Sequence, residues 1–243
     1  MLNFNDYIES EAGEKKIPLY VKKIADRIEE KFLLNIDIPR MLIITMPPRS
    51  LKTTIASKYL PEWITKKFPN KTIGLRSYSG YITNINIERL SESTKNKVYN
   101  THYAHAGLKP DVLIIDDYIK GPEGIRFMTE KYEELSSYIY YSLNPNPFVL
   151  IMASRSAKND IVGRILEHIK NSHLHIYMNN FLIDYINVPA FQYGYKNIWS
   201  LGQTFWPEKY SNTALFSIKN AIGEELFETL YQGNPKITYL NAS

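Results

Sequence analysis

RMLIITMPPRSLKTT, residues 40–54, is the stretch on which the fold turns. Its first half is a continuous apolar run, short and rich in β-branched residues, bounded by Pro39 and Pro47. Such a run reads as a strand buried on both faces of a parallel sheet. PPRSLK then interrupts it, and the residues from Lys52 to Lys67 read as a helix that Pro61 bends, because proline lacks the amide the preceding turn needs. Strand, tight loop and helix follow in that order.

The same alternation continues outward. On the amino-terminal side, Leu19, Val21, Ile24, Ile28 and Phe32 recur at the helical period between charged residues, which predicts an amphipathic helix from Pro18 to Leu34. On the other side, strands are predicted at TIGLRSY (72–78), VLIID (112–116) and FVLIMAS (148–154), with helices over 81–98, 125–142 and 159–170. Beyond Leu174 the pattern loosens, with strands expected around 174–178 and 182–188 and a helical tail near 212–232. Strands separated by helices argue for an α/β fold: a mostly parallel sheet with helices on both faces and a small helical subdomain after it. The expected division is 1–35 as a helical segment packed on the core, 36–205 as the core, and 206–243 as a helical lid or linker.

Composition narrows the classes. The chain has 243 residues, 44% of them hydrophobic and 22% charged, with 19 tyrosines, so it has apolar surface enough to order itself. It has no cysteine, which removes disulfides, thiolate metal sites and thiol nucleophiles. The acidic opening lacks the basic start and apolar run of a secretory signal, and no stretch is long enough to span a membrane, so a soluble protein is expected. The net charge of +4 allows an anionic partner without requiring one.

In α/β sheets ligands sit at the carboxyl ends of the strands. After the first strand, PPRSLKTT places Lys52 and Thr53 at the opening of a helix, whose amides and dipole favour phosphate. In a P-loop such a lysine neutralises β- and γ-phosphate charge and the hydroxyl next to it ligates Mg²⁺. Both glycines of the regular P-loop are absent, their places taken by Met46 and Leu51, so taken alone the stretch also reads as a proline turn followed by a helix with an exposed lysine. After a later strand, VLIIDDYIKG delivers Asp116 and Asp117 side by side. Two like charges this close raise a pKa, a conflict that a divalent cation relieves. Asp116 is expected to hold Mg²⁺ through water and Asp117 to orient or deprotonate an attacking water. Either aspartate alone could equally cap a solvated strand end. After a third strand, Ser154 and Arg155 are expected to face the same crevice and sense a γ-phosphate. Lysine after one strand and paired aspartates after another is the Walker A and Walker B layout of a nucleoside triphosphatase of the ASCE type.

These residues resemble the large terminase subunits of tailed bacteriophages, the motors that package DNA into procapsids. PPRSLKTT is similar to that family's PPRHGKS-type Walker A, with Arg49 three residues before the lysine and Leu51 standing where the family has glycine. LKPDVLIIDDYIKG resembles its Walker B region, including a nearby lysine, Lys120. MASRSAKNDIVGRIL looks like its coupling segment at Ser154, Arg155, Asp160, Gly163 and Arg164; WPEKY (206–210) and LFETLYQGNP (226–235) are similar to its closing stretches.

The ordered set of five is more specific than any member. It implies a nucleotide site of Pro48, Arg49, Ser50, Leu51, Lys52, Thr53 and Thr54, with Thr53 and Asp116 on Mg²⁺. Lys52, Asp117 and Arg49 would be catalytic and Ser154 and Arg155 coupling residues, with Arg164 or Arg126 serving a neighbouring subunit's γ-phosphate. The resemblance further implies ATP and Mg²⁺ as cofactors, double-stranded DNA, portal protein and a small terminase subunit as partners, a homo-oligomeric ring, and work at the portal vertex of the procapsid in the host cytoplasm. Members normally continue into a nuclease with a cluster of acidic residues, whereas after Asp117 the chain holds only Asp160 and Asp184 as aspartates. No nuclease is expected in this chain, and a separate one is a further partner to consider. Two other readings stay open: a degenerate fold serving as an assembly or DNA-binding module, and a helicase-like nucleic-acid ATPase.

Outside that set, Lys66, Lys67, Lys71, Lys95 and Lys97 could follow a phosphate backbone or form an ordinary solvated face. The pairs His102 with His105 and His173 with His175 have spacings a metal could use, though ordinary polar positions explain them as well.

Overall fold

The computed structural model describes residues 2–103, 108–119, 125–170, 181–192, 203–236 and 238, with the backbone alone at 125 and 126. Six parallel strands form one sheet: β1 (Arg40–Thr45), β2 (Ile73–Arg76), β3 (Val98–Asn100), β4 (Val112–Asp116), β5 (Phe148–Ala153) and β6 (Leu182–Asn187), in the order β3-β2-β4-β5-β1-β6. The apolar runs alternate across it. Leu42 and Ile44 enter one core with Phe4, Ile8, Tyr20, Ile24 and Ile28 of helices α1 (Phe4–Ala12) and α2 (Leu19–Leu33). Met41 and Ile43 enter a second core with Leu135 and Ile139 of α7 (Ile125–Tyr141) and Ile161 and Ile165 of α8 (Ile161–Lys170). Helices therefore cover both faces, and the central strands show the unbroken hydrophobicity that two-sided burial demands. The expected α/β fold stands.

The helix after β1 is one run with a change of pitch: α3 (Lys52–Thr54), a π-helical turn over Ile55–Tyr59, and α4 (Leu60–Lys67). Pro61 explains the change, since it offers no amide to the carbonyl of Ser57 and its ring crowds that carbonyl. The predicted bend is thus a widened turn.

Elsewhere the structure adds detail to the sequence reading or corrects it. The opening segment forms α1, with Asn3 capping it through Asp6 N at 2.8 Å. The single helix expected over 81–98 is α5 (Gly80–Glu88), α6 (Glu92–Lys95) and then β3. Glu62, buried on α4, breaks it: its carboxylate accepts from Ser91 Oγ at 2.8 Å and Thr94 Oγ1 at 3.0 Å, which pulls the chain off the helical path. The helical tail is two helices, α9 (Asn212–Ile222) and α10 (Glu224–Leu230), parted by Gly223 at φ 86°. The strand expected at 174–178 lies outside the described residues.

One consequence of the strand order positions everything that follows. β5 lies between β1 and β4, with Thr45 opposite Ala153 and Met152 opposite Asp116, so three strands end together at one edge.

Candidate functional site

The loop leaving β1 turns through two left-handed residues, Arg49 at φ 59° and Leu51 at φ 68°. Leu51 occupies the backbone region that glycine enters freely, at a cost of about 1–2 kcal/mol for a side chain with a Cβ. Its side chain packs against the core beside α2, which offsets part of that cost. Hydrogen bonds hold the loop by its carbonyls. Pro47 O accepts from Ser50 Oγ (2.6 Å) and Lys52 Nζ (3.0 Å), Ser50 O from Tyr20 OH (2.9 Å), and Arg49 O from Lys209 Nζ (3.2 Å). The first amides of a helical run have no partner within the helix, and such amides favour an anion.

Lys52 is buried and draws the three strand ends together. Its Nζ donates to Ser154 Oγ at 2.9 Å and lies 3.5 Å from Asp117 Oδ2. Ser154 in turn donates through Oγ to Met46 O (3.1 Å) and through its amide to Asp117 Oδ1 (3.0 Å). Asp117 itself sits at φ 43°, a strained conformation in which its amide still donates to Met152 O at 2.9 Å. Asp116, 2% exposed, accepts from Thr53 Oγ1 (3.3 Å) and Ser57 Oγ (2.7 Å). Burial, with Asp117 alongside, pushes the Asp116 carboxyl up to about 6. Thr53, Asp116, Asp117, Ser154 and Pro48 open onto a cavity of about 510 Å³ walled on its far side by Ser77, Tyr78, Asn86 and Arg89.

Not every expected residue joins it. Arg155 turns back from the crevice: its Nε donates to both oxygens of Asp160 (3.1 and 2.9 Å) and an Nη to Ala157 O (3.0 Å), all buried. Asp160 outcompetes the crevice because it also gathers the amides of Ser156 (2.8 Å), Ala157 (3.2 Å) and Gly163 (2.8 Å). Gly163 is required there, since a Cβ would stand 1.8 Å from Lys158 O. Arg164 makes contacts within the chain, donating to Thr129 Oγ1 (2.8 Å) and Asn159 O (3.1 Å) over the ring of Tyr132. Arg126 starts α7, but its side chain lies outside the described residues, as does Lys120. Arg49 is exposed, and Thr54 and Ser50 line the helix start without reaching the carboxylates.

The lysines considered for a phosphate backbone are paired: Lys66 with Glu11, Lys67 with Glu29, Lys71 with Asp111 and Lys95 with Glu92, while Lys97 donates to Pro69 O. His102 is an ordinary polar position, with Nε2 2.8 Å from Ser77 O and its pKa lowered by burial. His105, His173 and His175 lie outside the described residues.

Three residues bear on the site with no role predicted for them. Tyr20 and Lys209 brace the loop, Lys209 stacking over Trp206 (4.6 Å) and Tyr210 (5.2 Å); Ser57 holds Asp116. The signal for Ser57 was a hydroxyl one helical turn past Thr53. The YQGNP stretch docks behind them: Ala190 N donates to Tyr231 O (2.8 Å), Asn187 Nδ2 to Gln232 O (2.8 Å), and Gly233, at φ 66°, comes so near Asn187 that a Cβ would meet its Oδ1 at 2.1 Å.

The parallel α/β sheet that brings these residues together has a known structural counterpart in fold. The crystal structure of the HK97 bacteriophage large terminase matches the chain with a TM-score of 0.54 at 13% identity, over 96% of this chain and 55% of that one. The chain thus spans about half the length of the protein it resembles, and the likeness is one of fold. Neither a protein-family model nor a curated protein sequence matches it. Among the described residues no helix is long and apolar enough to cross a membrane.

Proposed function

We propose that the chain is a Mg²⁺-dependent ATPase whose hydrolysis drives the movement of double-stranded DNA, working as the motor module of a terminase. The observation that carries the chemistry is the meeting of Lys52 with Ser154 (2.9 Å) and Asp117 (3.5 Å) beside the Thr53–Asp116 contact. Hydroxyl and carboxylate oxygens are the hard donors Mg²⁺ takes, and among the described residues no group of three or more His, Asp or Glu side chains forms a cage of its own. That fits an ion shared with phosphate oxygens, as Mg²⁺ is in nucleotide sites. Thr53 and Asp116 would hold it, and when bound it would neutralise charge on the transferring phosphoryl group.

The chain's own groups do the rest. Lys52 brings an ammonium to the phosphates from a buried position, where its charge acts at low dielectric. Asp117, fixed by the Ser154 amide, keeps carboxylate oxygen toward the cavity to align a water and accept its proton. Ser154, bonded to Lys52, Asp117 and the carbonyl of Met46, registers changes at any of them. The packaging context, with ring, portal protein and small subunit, rests on the terminase likeness together with the motif order.

Phosphate release from ATP, measured with and without duplex DNA for the natural chain, Lys52→Ala and Asp117→Asn, tests the reading. Mg²⁺-dependent turnover lost in both variants supports it, and stimulation by duplex supports the motor. A second reading, a nucleotide-silent assembly module, is favoured by one feature, the left-handed Leu51. Calorimetry showing no Mg·ATP binding at millimolar concentration would decide for that second reading.

A further inference from the structure

Ser57 is 3% exposed, in the π-helical turn one turn beyond Thr53. A serine inside a helix commonly satisfies itself on the carbonyl of the preceding turn. This one instead donates across to β4, reaching Asp116 Oδ2 at 2.7 Å. Thr53 Oγ1, which opens on the cavity, stands 3.3 Å from the other oxygen, Oδ1. The two carboxylate oxygens thus have separate partners, one deep in the protein and one at the cavity. Ser57 sits in the π-helical turn ahead of Pro61, which offers no amide to the Ser57 carbonyl.

We infer that Ser57 is a positioning residue for divalent metal: by holding Oδ2 it fixes the rotation of the Asp116 carboxylate and presents Oδ1 beside the Thr53 hydroxyl. Outer partners of this kind orient a ligand atom, and their removal typically costs about 10–100-fold in metal affinity. The inference rests on the nucleotide reading above, and it adds a residue that touches neither nucleotide nor metal.

The test is a Mn²⁺ titration followed by electron paramagnetic resonance, on the whole chain bound to a non-hydrolysable ATP analogue. Ser57→Ala is expected to weaken Mn²⁺ binding about 10–100-fold, and Ser57→Thr, which keeps the hydroxyl, to stay within about threefold of the natural chain. Binding of the analogue in EDTA, which Ser57 does not touch, should be equal in all three and controls for folding. In turnover assays the Mg²⁺ concentration giving half-maximal rate should rise in Ser57→Ala, with kcat recovering at saturating metal. Should Ser57→Ala fail the EDTA control, Ser57→Cys, a weaker donor of similar size, takes its place with the same expected direction. Unchanged Mn²⁺ affinity in the variant lacking the hydroxyl overturns the inference, and so does a Ser57→Thr as weak as Ser57→Ala, which would mark a packing role. If the natural chain binds no analogue with or without metal, the nucleotide reading itself falls and takes this inference with it.

Discussion

The loops that leave β1 and β5 begin side by side, Thr45 opposite Ala153, and end in opposite conditions. After β5 the Arg155–Asp160 pair is saturated. Asp160 accepts three backbone amides and the Arg155 guanidinium, and this pair lies buried, turned back from the cavity that Ser154 lines. After β1 the loop runs through two left-handed non-glycine residues, and its lysine lies near an aspartate whose neighbour is pushed up to about 6 by burial. Polar residues whose bonds are complete serve the fold; polar residues in conflict, held in strained backbone, are available for chemistry.

The largest effect that would break this contrast is on turnover. Lys52→Ala and Asp117→Asn should each lower hydrolysis by about 10³-fold or more, with thermal melting midpoints at or above that of the natural chain. Melting far below it would place Lys52 with the structural group. Conversely, Asp160→Ala leaves Arg155 charged and unpaired in the interior and should cost about 3–5 kcal/mol in denaturant unfolding. A loss under about 1 kcal/mol would mean the turn after β5 is not the anchor its hydrogen bonds describe.

Asp116 sharpens the contrast through pH. Its folded pKa of about 6 lies above the ordinary 3.8, so the native state binds the proton more tightly than the unfolded chain does. Stability is therefore undiminished below 3.8, falls as pH rises through about 6, and stays lower above it. Asp116→Asn escapes this and should be more stable than the natural chain by about 2–3 kcal/mol at pH 7.5 in EDTA, with the gap closing towards pH 4. A gap independent of pH would show that the carboxylate is not in conflict. The smallest effect is expected at Leu51→Gly. Relief of the left-handed strain and loss of side-chain packing should nearly cancel, within about 1 kcal/mol, while calorimetry should find nucleotide bound several-fold more tightly.

What the sequence made legible follows from the same physics. β1, β4 and β5 stood out because burial on both faces leaves them unbroken apolar runs; Asp116, Asp117 and Ser154 stood out because each comes at or directly after such a run, and Lys52 and Thr53 because they open the helix that follows the first one. β3 was hidden, since an edge strand of VYN carries no such run and its place depends on Glu62, far away in sequence. Arg155 could be placed next to the crevice but its direction could not, because that is settled by a competition with an acceptor in the following turn. Ser57 left only a faint trace, a hydroxyl one turn past Thr53, for a related reason. Its partner Asp116 ends β4, 59 residues further along the chain, and a lone serine gives no sign of that pairing.

The grip of Lys209 on the carbonyl of Arg49 has a mechanical side. Lys209 lies just ahead of α9, and the residues after α10 are fastened to the strap beyond β6 through Tyr231, Gln232 and Gly233. The two helices are therefore held between two fastenings, one on the loop that precedes Lys52 and one at the end of β6 and the residues after it, so the nucleotide-loop candidate and the last strand share a single brace.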